Sequence, residues 1–197
     1  MAALSAPAPL WRRPGALASL LLALLALFGV ARAQTPGAVN APLERQVKAA
    51  YLLKFAGFVE WPEASFAHPD SVLDIGVAGS GPLADALAAM AAGRNVNGHP
   101  VAVRRIRPGD ALTGLHILFI DSSTGAGAAR ELLAAAQGLA LLTVSDTAQD
   151  ADPGCMINFV VDAERLRFDV LMRPVAASGL RISARMLAVA HRVRGAS

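Results

Sequence analysis

Several residues have types and spacing that could support chemistry. Gly79-Ser80-Gly81-Pro82-Leu83-Ala84 fits G-x-G-x-x-A between a predicted strand and a predicted helix. Such turns can aim backbone N–H groups at a phosphate. Pro82 removes one donor, however, and the next strand ends on Arg104-Arg105 rather than on an acid that would hold a ribose. In a chain this rich in glycine and alanine, the motif reads as a structural turn. A second group lies where predicted parallel strands end: Ser80, then Asp121-Ser122-Ser123-Thr124, then Thr143, Ser145 and Asp146. The carboxyl ends of strands in open α/β sheets are where such folds bind ligands. Ser80, Asp121, Ser122, Ser145 and Asp146 could therefore rim a pocket for a small solute. Equally, they could cap the turns and helices that follow.

Other chemistry finds little footing. His68, His99, His116 and His191 are scattered, with no H-x-x-x-H or C-x-x-C spacing for a metal. No G-x-S-x-G elbow is present. His116 lies inside an apolar strand pattern and reads as a satisfied core histidine. The single cysteine, Cys155, cannot form an internal disulfide, and it opens an apolar run, which favours burial. No catalytic residue, metal or cofactor is assigned.

The elements that position these residues begin after a leader. Arg12 and Arg13 precede the apolar run Ala16–Val30, and Ala31-Arg32-Ala33 follows as a small-residue exit. This is the pattern of a secretory signal peptide cleaved after Ala33, and the run is too short to span a membrane. Residues 1–33 are assigned to the leader, 34–42 to a flexible tether and 43–195 to one folded domain. Arg12, Arg13 and Arg32 leave with the leader, so the eighteen basic residues fall to fifteen, against fifteen acids. A balanced, exported chain without a long basic run does not suit nucleic-acid binding.

A helix is predicted from Pro42 to about Val59, ended by Glu60-Trp61-Pro62. Strands over 72–79, 101–106, 115–121 and 139–145 alternate with helices over 83–92 and 126–137. Leu115–Asp121 is apolar enough for a strand buried on both faces. The strand Met156–Val161 leads through Asp162-Ala163-Glu164 into Arg165–Val170. There Leu166, Phe168 and Val170 alternate inward with Arg165, Arg167 and Asp169 outward, as in a hairpin at a sheet edge. A last helix covers 183–193. The fold expected is a single α/β domain. Its sheet is mixed and mainly parallel, with about six strands, helices on both faces and a C-terminal antiparallel hairpin.

The first helix concentrates aromatics. Tyr51, Phe55, Phe58, Trp61 and Phe66 fall within a short stretch of a chain with few others. The helix is apolar nearly all round. One flank must pack on the sheet, and another apolar flank on a small domain is usually covered by a partner. Periodicity alone does not divide the two.

The stretches Tyr51-Leu52-Leu53-Lys54-Phe55 and Phe58-Val59-Glu60-Trp61-Pro62 resemble the opening signature of the YfiR/HmsC-like family of exported bacterial proteins. The resemblance continues through Leu73–Val77, Val96–Val101, His116–Ile120, Leu142–Asp146, Met156–Phe159 and Gly179–Ser183. It implies a periplasmic, non-enzymatic α/β regulator that restrains an inner-membrane diguanylate cyclase by binding its periplasmic part. Cyclic-di-GMP and biofilm formation would fall as a result. It also implies a possible outer-membrane lipoprotein that relieves the restraint, and a possible homodimer. Some members carry paired cysteines that act as a redox element; the lone Cys155 departs from that pattern. Candidate partner contacts are Tyr51, Lys54, Phe55, Phe58 and Trp61, with a second group at Asn158, Arg167 and Leu180. A small-molecule sensor using the polar rim is the alternative.

Overall fold

The computed structural model describes residues 36–147 and 154–195. The predicted leader with its cleavage site, and the start of the predicted tether, lie outside them. By contacts the chain divides at Val39/Asn40, and the fold below is that of the second unit, Asn40–Ser197.

Helix α1 runs Pro36–Phe58, so it begins ahead of Pro42, the expected first turn. Pro42 lies inside the helix and supplies no N–H to its ladder. Strand β1 (Val59–Glu60) follows, then a short 3-10 turn, Glu63–Ser65. The alternating part comprises β2 (Leu73–Ala78), α2 (Gly81–Ala91), β3 (Asn95–Val96), β4 (His99–Ile106), β5 (Leu115–Ile120), α3 (Ala126–Ala136) and β6 (Leu142–Ser145). The last part comprises β7 (Ile157–Asp162), β8 (Arg165–Leu171), α4 (Met172–Ser178), β9 (Arg181–Ile182), α5 (Ala184–Val189) and β10 (Arg192–Arg194).

Eight strands form the main sheet, in the order β10-β8-β7-β6-β5-β2-β4-β3. β2 pairs in parallel with β4 and β5, as do β5 with β6, β6 with β7, and β8 with β10. The antiparallel pairs are β3–β4 and the β7–β8 hairpin. β1 and β9 make a separate two-stranded ladder. The sheet is thus mixed and mainly parallel, as expected, with eight strands instead of about six. The additions are short, β3 and β10, with two and three residues.

β5 shows why both faces are covered. All six of its residues are buried. Ile117 and Phe119 join the core beneath α1 and α2, while Leu118 and Ile120 join a second core with Ala129, Leu132 and Ala136 of α3. Period-two alternation sends neighbouring side chains to opposite faces, so an all-apolar strand needs two covers.

The hairpin turn is two residues, Ala163 and Glu164, with φ of 44° and 62°. Left-handed geometry at both positions gives the type I′ turn whose twist suits a hairpin. One expectation fails here. Asp169 keeps the face away from α1 but is buried there, and β8 is not an edge. The predicted last helix stops at Val189, and Arg192-Val193-Arg194 becomes β10 alongside Asp169–Leu171. Arg194 donates to Asp169 Oδ2 at 3.3 Å, and the ring Nδ1 of His191 lies 3.0 Å from Oδ1. These partners are what permit a carboxylate in that position.

Candidate functional site

α1 sorts its side chains into a buried flank and an open one. Ala49, Leu52, Leu53, Phe55 and Ala56 are buried. The Phe55 ring meets Phe168 edge-on at 5.0 Å and stacks on Phe159 at 5.8 Å. Tyr51 lies 5.7 Å from Phe55 and 5.8 Å from both hairpin phenylalanines. Each such pair contributes about 0.5–1.5 kcal/mol beyond area burial. Much of the helix's aromatic content therefore fastens α1 to the β7–β8 hairpin.

This placement corrects part of the predicted contact set. Phe55, Asn158 and Leu180 are 2%, 2% and 4% exposed, so a partner cannot reach them in this state. Asn158 Oδ1 accepts from the Ser145 hydroxyl at 2.7 Å, and its amide donates to the Thr147 carbonyl at 3.1 Å. Leu180 packs into the core beneath α1. Tyr51 and Trp61 are half-buried, while Lys54 and Phe58 are exposed. Arg167 is not on this face at all: Phe168 points to α1, so its neighbour points to the opposite side of the sheet. The open flank includes residues that the sequence did not single out. Leu43, Gln46, Val47, Ala50, Tyr51 and Lys54 line a shallow groove of about 340 Å³. Leu43 is 61% and Phe58 39% exposed. Their spacing along the helix was the available signal.

Trp61 and Phe66 belong to a strap over the amino-terminal ends of the strands. The Trp61 indole donates to the His116 carbonyl at 3.2 Å. The Phe66 ring stacks between His99, at 3.8 Å, and His116, at 4.3 Å. His99 Nδ1 lies 2.8 Å from the Ser71 carbonyl. His116 is buried, as the sequence suggested. Its Nδ1 accepts the Asp74 N–H at 3.1 Å, which leaves the proton on Nε2, 3.2 Å from the Ser65 carbonyl it donates to. Burial lowers the His116 pKa below its ordinary value; the Ser65 carbonyl and the Asp74 carboxylate pull the other way, and His99 adds to the lowering.

The polar rim does assemble at the carboxyl ends of β2, β5 and β6, but its groups hold one another. Ser80 caps α2, accepting from the Leu83 N–H at 3.4 Å. Asp121 accepts from the Ser123 N–H at 2.9 Å and from the Ser123 hydroxyl. Asp146 accepts from the Ser122 N–H at 2.7 Å and from Lys48 at 2.6 Å. Lys48 also bridges Glu44 on α1 at 2.6 Å. Burial disfavours the Lys48 ammonium, yet the hydrogen bonds and charges of Asp146 and Glu44 outweigh it and hold its pKa above the ordinary value. Gly79 has φ +96°, and a Cβ there would meet Thr124 Oγ1 at 2.6 Å and Asp121 Cβ at 2.9 Å. The glycine turn is filled by the Asp121–Thr124 turn beside it, and a carboxylate-bearing turn is a poor phosphate cradle. Ser80 and Asp121 thus cap the elements that follow them, whereas Ser145 bonds Asn158 and Asp146 joins Lys48 to the Ser122 N–H.

Cys155 is buried. Among the described residues, no group of three or more His, Cys, Asp or Glu could hold a metal ion, and no helix is long and apolar enough to cross a membrane. The family model described as YfiR/HmsC-like matches residues 45–191, from the middle of α1 to the residue before β10. No curated protein matches the chain.

Proposed function

Because the chain belongs to the YfiR/HmsC-like family, we propose that it is a periplasmic, non-enzymatic regulator. It binds the periplasmic part of an inner-membrane diguanylate cyclase and holds that enzyme inactive, lowering cyclic-di-GMP and biofilm formation. The supporting observation is the open flank of α1. Leu43, Val47 and Tyr51 follow one another at roughly one-turn intervals, Phe58 lies two turns further along the same stripe, and none is buried by the described fold. An apolar stripe rimmed by Lys54 and Gln46 suits a protein contact better than open solvent. Tyr51 and Phe58 act as anchors, and Lys54 sets register at the margin.

Restraint then needs only differential affinity. A regulator that binds the inactive cyclase about a hundredfold more tightly than the active one shifts its equilibrium by about 2.7 kcal/mol. A lipoprotein partner would relieve the restraint by competing for the regulator. The test is a titration of the cyclase's periplasmic domain against wild type and the double variant Leu43→Ser/Phe58→Ser. Both positions are exposed, so the variant is expected to keep its fold and to lose at least tenfold in affinity. A folded variant that binds as tightly as wild type refutes the assignment of this flank.

A further inference from the structure

The chain's charge is unevenly distributed. Between Arg165 and Arg194 the sequence holds seven arginines, no lysine and one acid, Asp169, which is buried. Strand register gathers four of those arginines. In β8, Leu166, Phe168 and Val170 turn toward α1, so Arg165 and Arg167 project from the opposite face. Arg192 pairs with Asp169 and Arg194 with Leu171, and partners in a parallel ladder share a face, so both lie on that same side. Arg173 joins them, lining a shallow cleft with Arg194. All but Arg167, which is half-buried, are exposed.

We propose that this arginine face docks on an anionic phospholipid surface. Guanidinium groups suit phosphate, which they can grip with paired N–H donors. A membrane needs only charge from its ligand, whereas a protein partner needs apolar anchors at the centre of the contact. Of the exposed large apolar residues, Leu43 and Phe58 lie on α1, and register turns Val161 of β7 and Val193 of β10 to the α1 side with their partners Leu166 and Val170; Val72 and Val189 lie outside β7, β8 and β10. A second copy of the chain is a poor match. Asp162 shares this face at its margin, opposite Arg165; the other acids are dispersed, and several are paired: Asp146 with Lys48, Asp85 with Arg105 and Glu60 with Arg181. Docking by β8 and β10 would leave the α1 flank free for a membrane-embedded partner. That benefit rests on the proposed function; the lipid contact does not.

The experiment is co-sedimentation with vesicles of phosphatidylcholine containing about a third phosphatidylglycerol, against pure phosphatidylcholine, with no partner protein present. Wild type is expected to bind the anionic vesicles at 50 mM salt, to release at 300 mM, and to ignore the neutral ones. Each arginine near such a surface is worth roughly fivefold in binding, so Arg167→Gln/Arg173→Gln/Arg192→Gln should lose about a hundredfold. The charge-matched control Arg94→Gln/Arg107→Gln/Arg130→Gln, all exposed and outside this face, should lose far less. Circular dichroism checks that both variants fold, and the wild-type salt and lipid dependence stands without them. Absent binding to anionic vesicles, equal binding to neutral ones, or equal losses in the two triple variants would each overturn the proposal. Failure here would leave the cyclase titration intact, and the reverse.

Discussion

Replacing His116 by phenylalanine keeps a flat ring between Trp61 and Phe66 and removes two hydrogen bonds. The Asp74 N–H loses its acceptor on Nδ1, and the Ser65 carbonyl loses its donor on Nε2. A buried polar group stripped of its partner costs about 1–3 kcal/mol. Water can reach the strap near exposed Glu63 and Ala64, so the Ser65 carbonyl belongs at the low end and the Asp74 N–H higher. We expect a loss of about 3 kcal/mol at pH 7.5, which for a domain of this size lowers the melting temperature by about 6–12 °C.

The same variant carries a pH signature. The folded state lowers the pKa of His116, so between that lowered value and 6.5 the unfolded chain binds more protons. The stability from neutral His116 is therefore complete above pH 6.5 and is lost as pH falls toward the folded pKa, by at most about 1.4 kcal/mol per pH unit. The gap between wild type and His116→Phe should narrow on acidification. Trp61 is the only tryptophan among the described residues, and it sits 5.9 Å edge-on from His116. Its fluorescence in denaturant titrations at pH 7.5, 6.0 and 5.0 reports both stability and the strap. A variant as stable as wild type at pH 7.5, or a gap that does not change with pH, refutes the neutral Nε2–H assignment.

Other perturbations test the remaining supports. Lys48→Met strands the nearly buried Asp146 carboxylate, which keeps only the Ser122 N–H; urea unfolding at pH 7 should show a loss of about 2–4 kcal/mol. In wild type the Lys48 contribution should persist up to its unfolded pKa, near 10.5, and fade as pH rises through the higher folded value, which alkaline melts of wild type and variant would show. Gly79→Ala forces a Cβ against Thr124 and Asp121 in a left-handed backbone, and calorimetry should record a loss of at least about 2 kcal/mol. Glu164→Gly relieves a positive φ in the hairpin turn and should raise stability by roughly 0.5–1 kcal/mol.

What the sequence disclosed and what it hid follow from the range of the forces involved. The alternation of strands and helices was legible because period and turn chemistry are local: Leu115–Ile120 announced a strand with two covers, and Ser80 and Asp121 announced caps. Asp169 shows the opposite case. Its alternation with Leu166 and Phe168 fixed which face it occupied, but whether that face meets water depends on Arg192–Arg194, beyond the reach of any local pattern. The helical signal of Met186 and Leu187 predicts a helix past Val189, whereas Arg192-Val193-Arg194 alternates as a strand does and forms β10.

The aromatic stretch illustrates the same limit at the candidate site. Four rings at helical and near-helical spacing read alike in sequence, yet Phe55 is core, Tyr51 bridges core and groove, Phe58 is open, and Trp61 spends its N–H on β5. Hydrophobicity measures what a residue would gain by burial, not what is available to bury it. That second quantity is set by the hairpin, which lies about a hundred residues later and supplies Phe159 and Phe168 to cover one flank of α1 and nothing for the other. The open flank is thus a remainder of the folding balance: apolar side chains that the described residues leave uncovered, and that the proposed function covers with a second polypeptide.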